Sequence, residues 1–158
     1  MAVISFTKVD LPYGWLGNMA AFPIDYQSEH WNTSEALFQA MRFENEEIRQ
    51  IIRSQASPMA AKMKAKAKGS RHLMVIEPCS PQDVENMRVC LELKFSQHPA
   101  IRQQLIRTGD HDLVEDIGNR RGARHLFWGA HRRNDEWIGT NTMGKLLMEL
   151  REKLKSEL

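Results

Sequence analysis

The sequence predicts an α+β fold: a helix-dominated single domain, residues 1–158, with a small irregular β-sheet. Three observations carry that expectation. Helix-start signals recur at Thr33-Ser34, Ser57-Pro58 and Ser80-Pro81. In each a hydroxyl can accept a free N–H of the first turn, and twice a proline fills the first helical position. Apolar residues then recur at helical spacing, as in Val84, Met87, Leu91 and Phe95, while strand-like runs are all short. Finally, 158 residues with 42% hydrophobic and 27% charged side chains suit one globular domain with its own core.

Ala2–Phe6 reads as a short strand. The segment LPYGWLGNMAAFP is a loop punctuated by Gly and Pro. Phe22–Tyr26 and the residues around Trp31 suit two further short strands. Thr33 or Ser34 caps a helix expected to run through Phe43, and a second helix covers Glu46–Ser54. The Ser57-Pro58 helix is expected to reach Lys68 and stop at Gly69. The Ser80-Pro81 helix ends before Pro99, and a shorter one follows over Ala100–Arg107. His111–Ile117 and Leu126–Trp128 read as strands. The last helix carries Met143, Leu146, Leu147, Leu150 and Leu154 on one face, with Glu149 and Lys153 as an i,i+4 pair outside.

Composition narrows the functional classes. No run approaches the ~18 apolar residues of a membrane span, so no membrane role is expected. The start, MAVISFTKVDLPYG, lacks the basic and long apolar stretches of a signal peptide. The two cysteines, Cys79 and Cys90, stand in no CxxC or Cys/His cluster, so a cytoplasmic protein without disulfide or structural zinc is expected. The six histidines show no metal-ligand spacing, and no metal or other cofactor is assigned. There is no GxxxxGK[ST], no GxGxxG after a strand, no GxSxG and no HExxH.

Net charge is +2, unevenly spread. Lys62, Lys64, Lys66 and Lys68 form one basic cluster; Arg120, Arg121, Arg124, Arg132 and Arg133 form another. Both suit phosphate attraction, and both equally suit a solvated helix face and a basic surface loop.

Three segments stand out. In His30–Phe43, Glu35, Gln39 and Arg42 fall at i, i+4 and i+7, a polar stripe on an otherwise apolar helix. A carboxylate there is either functional or a first-turn Glu favoured by the helix dipole. Between Trp128-Gly129 and Gly144 a Gly-containing loop meets a helix start, an arrangement suited to anions. Asn141 equally suits a helix cap, and Gly144 inside the helix points to close packing or close approach of a ligand. The third is Trp15-Leu16-Gly17-Asn18-Met19, an apolar loop holding one polar Asn. The tryptophans stand in or beside loops, where rings often stack on bases or sugars.

Taken in order, several segments resemble the NADAR domain family, its single-domain YbiA-like members above all. They are Trp31-x-Thr33-Ser34-Glu35-x-x-x-Gln39-Ala40-x-Arg42-Phe43, Ser57-Pro58-Met59-x-Ala61, Lys94-Phe95-x-Gln97, Leu113-Val114-Glu115, Trp128-Gly129 and Asn141-x-x-Gly144-x-Leu146-Leu147-Met148-x-Leu150-Arg151. The resemblance runs from about Asn18 to Arg151. The chain departs from the family's pattern at Arg42, where Lys is usual, at His125, where Asp is usual, and in AHRRNDEW, which replaces a Gly-rich stretch.

The resemblance implies a compact α+β N-glycosidase acting on N-ribosyl bonds. The implied partner is a small phosphorylated ribosyl substrate: a phosphoribosylamino-pyrimidine intermediate of riboflavin synthesis, or ADP-ribose on guanine. A third reading, ADP-ribosylated nucleic acid as the substrate, is favoured by the basic loop 120–133. No obligate protein partner is expected. Such a bond breaks through an oxocarbenium-like transition state, which calls for a carboxylate near C1′ and a proton for the leaving amine. Glu35 is the first choice for the carboxylate and Glu115 the second. Asn18 and Gln39 are expected to read ribose hydroxyls or the base, and Trp31 and Trp128 to stack on it. Arg42, with Gly129, Asn141 and Gly144, is expected to hold phosphate.

Lys94 offers a second chemistry, trapping the ring-opened sugar as a Schiff base. Its plainer reading is a stem packed along the helix with its ammonium in water. A non-catalytic module that binds nucleotide or ADP-ribose is the rival class; it could dispense with Glu35.

Overall fold

The computed structural model describes residues 2–158. The chain divides into two compact units: Asn18–His98, and the chain up to Gly17 together with Pro99–Leu158.

In the second of these, β1 (Val3–Phe6) pairs in parallel with β4 (Asp112–Glu115). A parallel pair needs a long crossover, and here residues 7–111 lie between the two strands in sequence. The final helix α8 (Thr142–Ser156) packs on β4 and on α6 (Pro99–Arg107) and α7 (Ala123–Trp128). Met143, Leu146, Leu147 and Leu150 are buried, the face expected from their spacing. A hairpin, β5 (His131–Arg133) with β6 (Glu136–Ile138), completes the unit.

The expected strand at Leu126–Trp128 is a helix instead. Leu126 N–H donates to Gly122 O at 3.0 Å and Gly129 N–H to His125 O at 2.8 Å. Three apolar residues are too few for periodicity to separate the two states.

The unit Asn18–His98 begins with a hairpin, β2 (Ile24–Tyr26) against β3 (Glu29–Trp31). Its two turn residues, Gln27 and Ser28, both have positive φ, the conformation that matches the twist of paired strands. Four helices and one short turn of helix follow: α1 (Ser34–Ala40), α2 (Glu46–Arg53), α3 (Pro58–Lys66), α4 (Lys68–Arg71) and α5 (Pro81–Gln97). Thr33, Ser57 and Ser80 cap α1, α3 and α5 through their hydroxyls, and Asn45 caps α2. Helix α1 packs against α2, α3 and α5, and every residue of it is buried.

Two expected boundaries shift. Helix α1 ends at Ala40, because Phe43 bridges to Met74 and Arg42 O accepts from Val75 N–H at 2.8 Å. Long-range pairing there replaces a further turn. Gly69 does not stop α3; Ala67 is extended, and Gly69 lies inside the short α4. Among the described residues no helix is long and apolar enough to cross a membrane.

Candidate functional site

The polar stripe on α1 is one connected chain of hydrogen bonds. Asn18 Nδ2 donates to Glu35 Oε2 at 3.1 Å, and Gln39 Nε2 donates to Glu35 Oε1 at 3.4 Å. The Ser34 hydroxyl bonds the Asn18 side-chain oxygen. At the other end Arg42 Nη1 donates to Gln39 Oε1 at 3.3 Å. Arg42 then grips Asp83, through Nε to Oδ1 at 2.9 Å and Nη2 to Oδ2 at 2.8 Å. All six side chains are buried. The i, i+4, i+7 spacing sets Glu35, Gln39 and Arg42 along one side of α1, and α5 brings Asp83 to meet them.

Burial pushes the Glu35 carboxyl above the usual carboxylate range. The positive charge of Lys62 on α3 opposes this most, followed by the hydrogen bonds from Asn18 and Gln39 and the charge of Arg42. Such a group can exchange a proton nearer neutrality than a solvated glutamate.

Lys94 departs from the plainer expectation. Its side chain is fully buried, so the ammonium does not reach water. Nζ lies 5.4 Å from the centroid of the Phe22 ring and 5.2 Å from that of Phe95. Burial lowers its pKa to about 7, so much of it is the neutral, nucleophilic amine at neutral pH.

Trp31 is 1% exposed, which packs its ring inside the protein rather than presenting it for stacking. The Arg53 guanidinium lies 6.0 Å from its ring centroid, and the indole N–H meets no acceptor among the described residues. Arg42 is likewise committed: a guanidinium forked onto a buried carboxylate has its charge already matched, so it is a poor phosphate anchor. Burial, reinforced by the charges of Glu35 and Asp83, pushes the Cys90 thiol well up, away from the thiolate form.

The remaining expected residues gather around β4. Asn141 sits at the start of α8 with φ 56, and its side chain makes no cap bond. Instead Oδ1 accepts from Glu115 N–H at 3.1 Å and Nδ2 donates to Leu113 O at 2.9 Å. The carboxamide thus pairs with β4 as a neighbouring strand would. A Cβ on Gly144 would stand 2.0 Å from Leu113 O, so this glycine lets α8 approach β4. At Gly129 a Cβ would stand 2.5 Å from Glu115 O, and Glu115 O itself accepts from Ala130 N–H at 2.8 Å. Trp128 ends α7 half-buried, edge-on to Phe127 with centroids 5.1 Å apart. In the same unit a cleft of about 800 Å³ is lined by Tyr13, Trp15, Gln104, Arg107, Thr108 and His111, among others; none of the expected site residues lines it.

The sequence model of the NADAR domain matches residues 5–155. The chain belongs to the NADAR domain family. It is 36% identical over 155 residues to N-glycosidase YbiA of Escherichia coli (strain K12), a match covering 98% of this chain and 90% of that one. It is 28% identical over 155 residues to the riboflavin biosynthesis protein VVA0006 of Vibrio vulnificus (strain YJ016), covering 96% of this chain and 38% of that longer protein. The NMR structure of E. coli YbiA superposes with a TM-score of 0.80 at 33% identity, covering 99% of this chain and 86% of that one. The helix-dominated α+β fold is therefore that of the NADAR domain.

Sequence reasoning about this NADAR domain missed two residues. Asp83 read only as part of a helix start; its place in Ser80-x-x-Asp83 was visible, but its partner 41 residues away was not. Lys62 was one lysine of a cluster. Its signal was adjacency to Ala61, which is fully buried, as is Ala65, where α3 packs on α1.

Proposed function

We propose that this protein hydrolyses the N-glycosidic bond of phosphorylated ribosylamino compounds, with Glu35 as the catalytic carboxylate. N-glycosidase chemistry is supported by family membership and by 36% identity to a protein named for that activity. The substrate class, riboflavin-pathway intermediates or ADP-ribosylated guanine, is the finer part of the proposal, and the Vibrio vulnificus relative supports the first.

One observation carries the residue assignment: Glu35 is buried with an N–H on each carboxylate oxygen. A buried carboxyl with a donor on each oxygen and a pKa raised by burial is suited to act as a positioned acid or base. In the reaction the C1′–N bond breaks and its electron pair goes to the leaving nitrogen, which takes up a proton. Water adds to C1′ and gives up a proton. The Glu35 carboxylate stabilises the positive charge developing at C1′ and accepts the water's proton.

Lys94 supports a second route. Its lowered pKa suits attack on C1′ of the ring-opened sugar, releasing the amine and leaving an imine that water then hydrolyses. Neither cysteine is in a disulfide, which fits the cytoplasm as the enzyme's compartment.

The test is a product assay. Purified protein should release ribose phosphate from a phosphoribosylamino-pyrimidine or ADP-ribose from ADP-ribosylated guanine. Tight binding of both with no turnover would instead support the binding module.

A further inference from the structure

Glu35 faces the Lys62 charge from α3, the Asn18 amide from its loop, and Gln39 and Arg42 on its own helix; the carboxylate of Asp83, further along the hydrogen-bonded chain, fixes which end of Gln39 that carboxyl meets. Asp83 is fully buried near the start of α5. Its two oxygens accept three hydrogen bonds, two from Arg42 and one from Cys79 N–H at 2.9 Å. With Nε and Nη2 both committed, the guanidinium plane is fixed and Nη1 faces Gln39. A guanidinium only donates, so Gln39 must turn its carbonyl oxygen toward Arg42. The opposite end of that carboxamide, its NH₂, is then the end that meets Glu35. Freed from Arg42, Gln39 could present either end, and its oxygen would favour a protonated Glu35.

We propose that Asp83, acting through Arg42 and Gln39, is a positioning residue that sets the hydrogen-bond polarity around Glu35 and so holds it as the carboxylate. The proposal rests on the reading of Glu35 as the catalytic group. The relay also explains a buried ion pair, which is weak evidence for stability by itself because desolvation offsets the attraction.

The test uses three variants and two readouts. Arg42→Met combined with Asp83→Asn removes both charges together and keeps an acceptor for Cys79 N–H, so no buried charge is stranded. Gln39→Leu removes the donor directly. Arg42→Lys keeps the charge but cannot fork onto Asp83 and reach Gln39 at once. The readouts are the pH profile of kcat and carboxyl-carbon NMR titration of Glu35, which needs no turnover. Each variant should raise the apparent pKa of Glu35, because a hydrogen bond to the charged form is lost and, in the paired variant, the Arg42 charge with it. At neutral pH kcat should fall about tenfold with KM changed less than twofold, and combining Gln39→Leu with the paired change should add nothing further.

A folded paired variant with the wild-type titration and pH profile would overturn the proposal and leave Arg42–Asp83 as a brace between α1 and α5. If the paired variant fails to fold, Gln39→Leu and Arg42→Lys decide by the same two readouts. Glu35→Gln separates the two layers: full activity there sinks the catalytic reading itself, whereas an inactive Glu35→Gln beside an unperturbed paired variant sinks only the role of Asp83.

Discussion

Glu35 and Asn18 meet across 17 residues of chain, with the Asn18 amide donating to Glu35 Oε2 at 3.1 Å. The contact ties the start of the unit's first loop to the first turn of α1. With Gln39 donating to the other oxygen, the site offers a neutral amide one donor too many. In Glu35→Gln the new NH₂ must face a donor, either Asn18 or Gln39. The variant should stay folded but lose about 1–3 kcal/mol of stability. Hydrolysis should fall by about two orders of magnitude or more, the range for a positioned acid or base. Thermal unfolding and a product assay together check both halves; wild-type turnover would remove Glu35 from the chemistry.

If the sugar is trapped as an imine, borohydride added during turnover should leave a covalent ribosyl adduct. Mass spectrometry of peptides should place it on Lys94, and Lys94→Met should abolish it. No adduct in repeated trials would favour direct attack by water at Glu35. An adduct on Lys62 would keep the chemistry and move the nucleophile to α3.

The same lysine makes stability depend on pH. Its folded pKa is about 7 against an ordinary value of 10.5. Between those values the unfolded chain binds the proton and the folded chain does not, so stability rises with pH across that window. The slope contributed is at most about 1.4 kcal/mol per pH unit. Lys94→Met, similar in volume, should abolish that rise and leave the protein more stable at pH 7. Denaturant midpoints at pH 7 and pH 9 measure it; an unchanged rise in the variant would assign the slope to other groups.

Asn141→Ala strands Leu113 O and Glu115 N–H on β4. We expect a loss of about 2 kcal/mol or more, from two backbone groups left without partners, with KM unchanged. A raised KM at full stability would instead make Asn141 a substrate contact.

Arg132 and Arg133 are exposed on β5, and the Arg132 guanidinium lies 3.7 Å from the exposed Asp135 carboxylate. Replacing both with Ala should lower kcat/KM for phosphorylated substrates, because surface charge raises the local concentration of anions. Folding should change little. Added salt should shrink the difference, since screening acts beyond about 8 Å at physiological ionic strength. Equal kinetics at low salt would confine these arginines to solvation.

Features with local causes were legible in the order of the residues. Thr33, Ser57 and Ser80 cap their helices because a hydroxyl finds an N–H three residues on. Met87, Leu91 and Phe95 are buried because their spacing puts them on one face of α5, and the same periodicity aligned Glu35, Gln39 and Arg42. The partner of each polar group depended on packing between distant segments. Asp83 captured Arg42 from phosphate duty, β4 captured Asn141 from helix capping, and burial denied Lys94 its water. The short runs ending at Trp128 and Phe43 were also settled there. The physical reason is range: caps and stripes are fixed by neighbours within a turn or two, whereas desolvation and partner choice depend on groups tens of residues away, which no local pattern encodes.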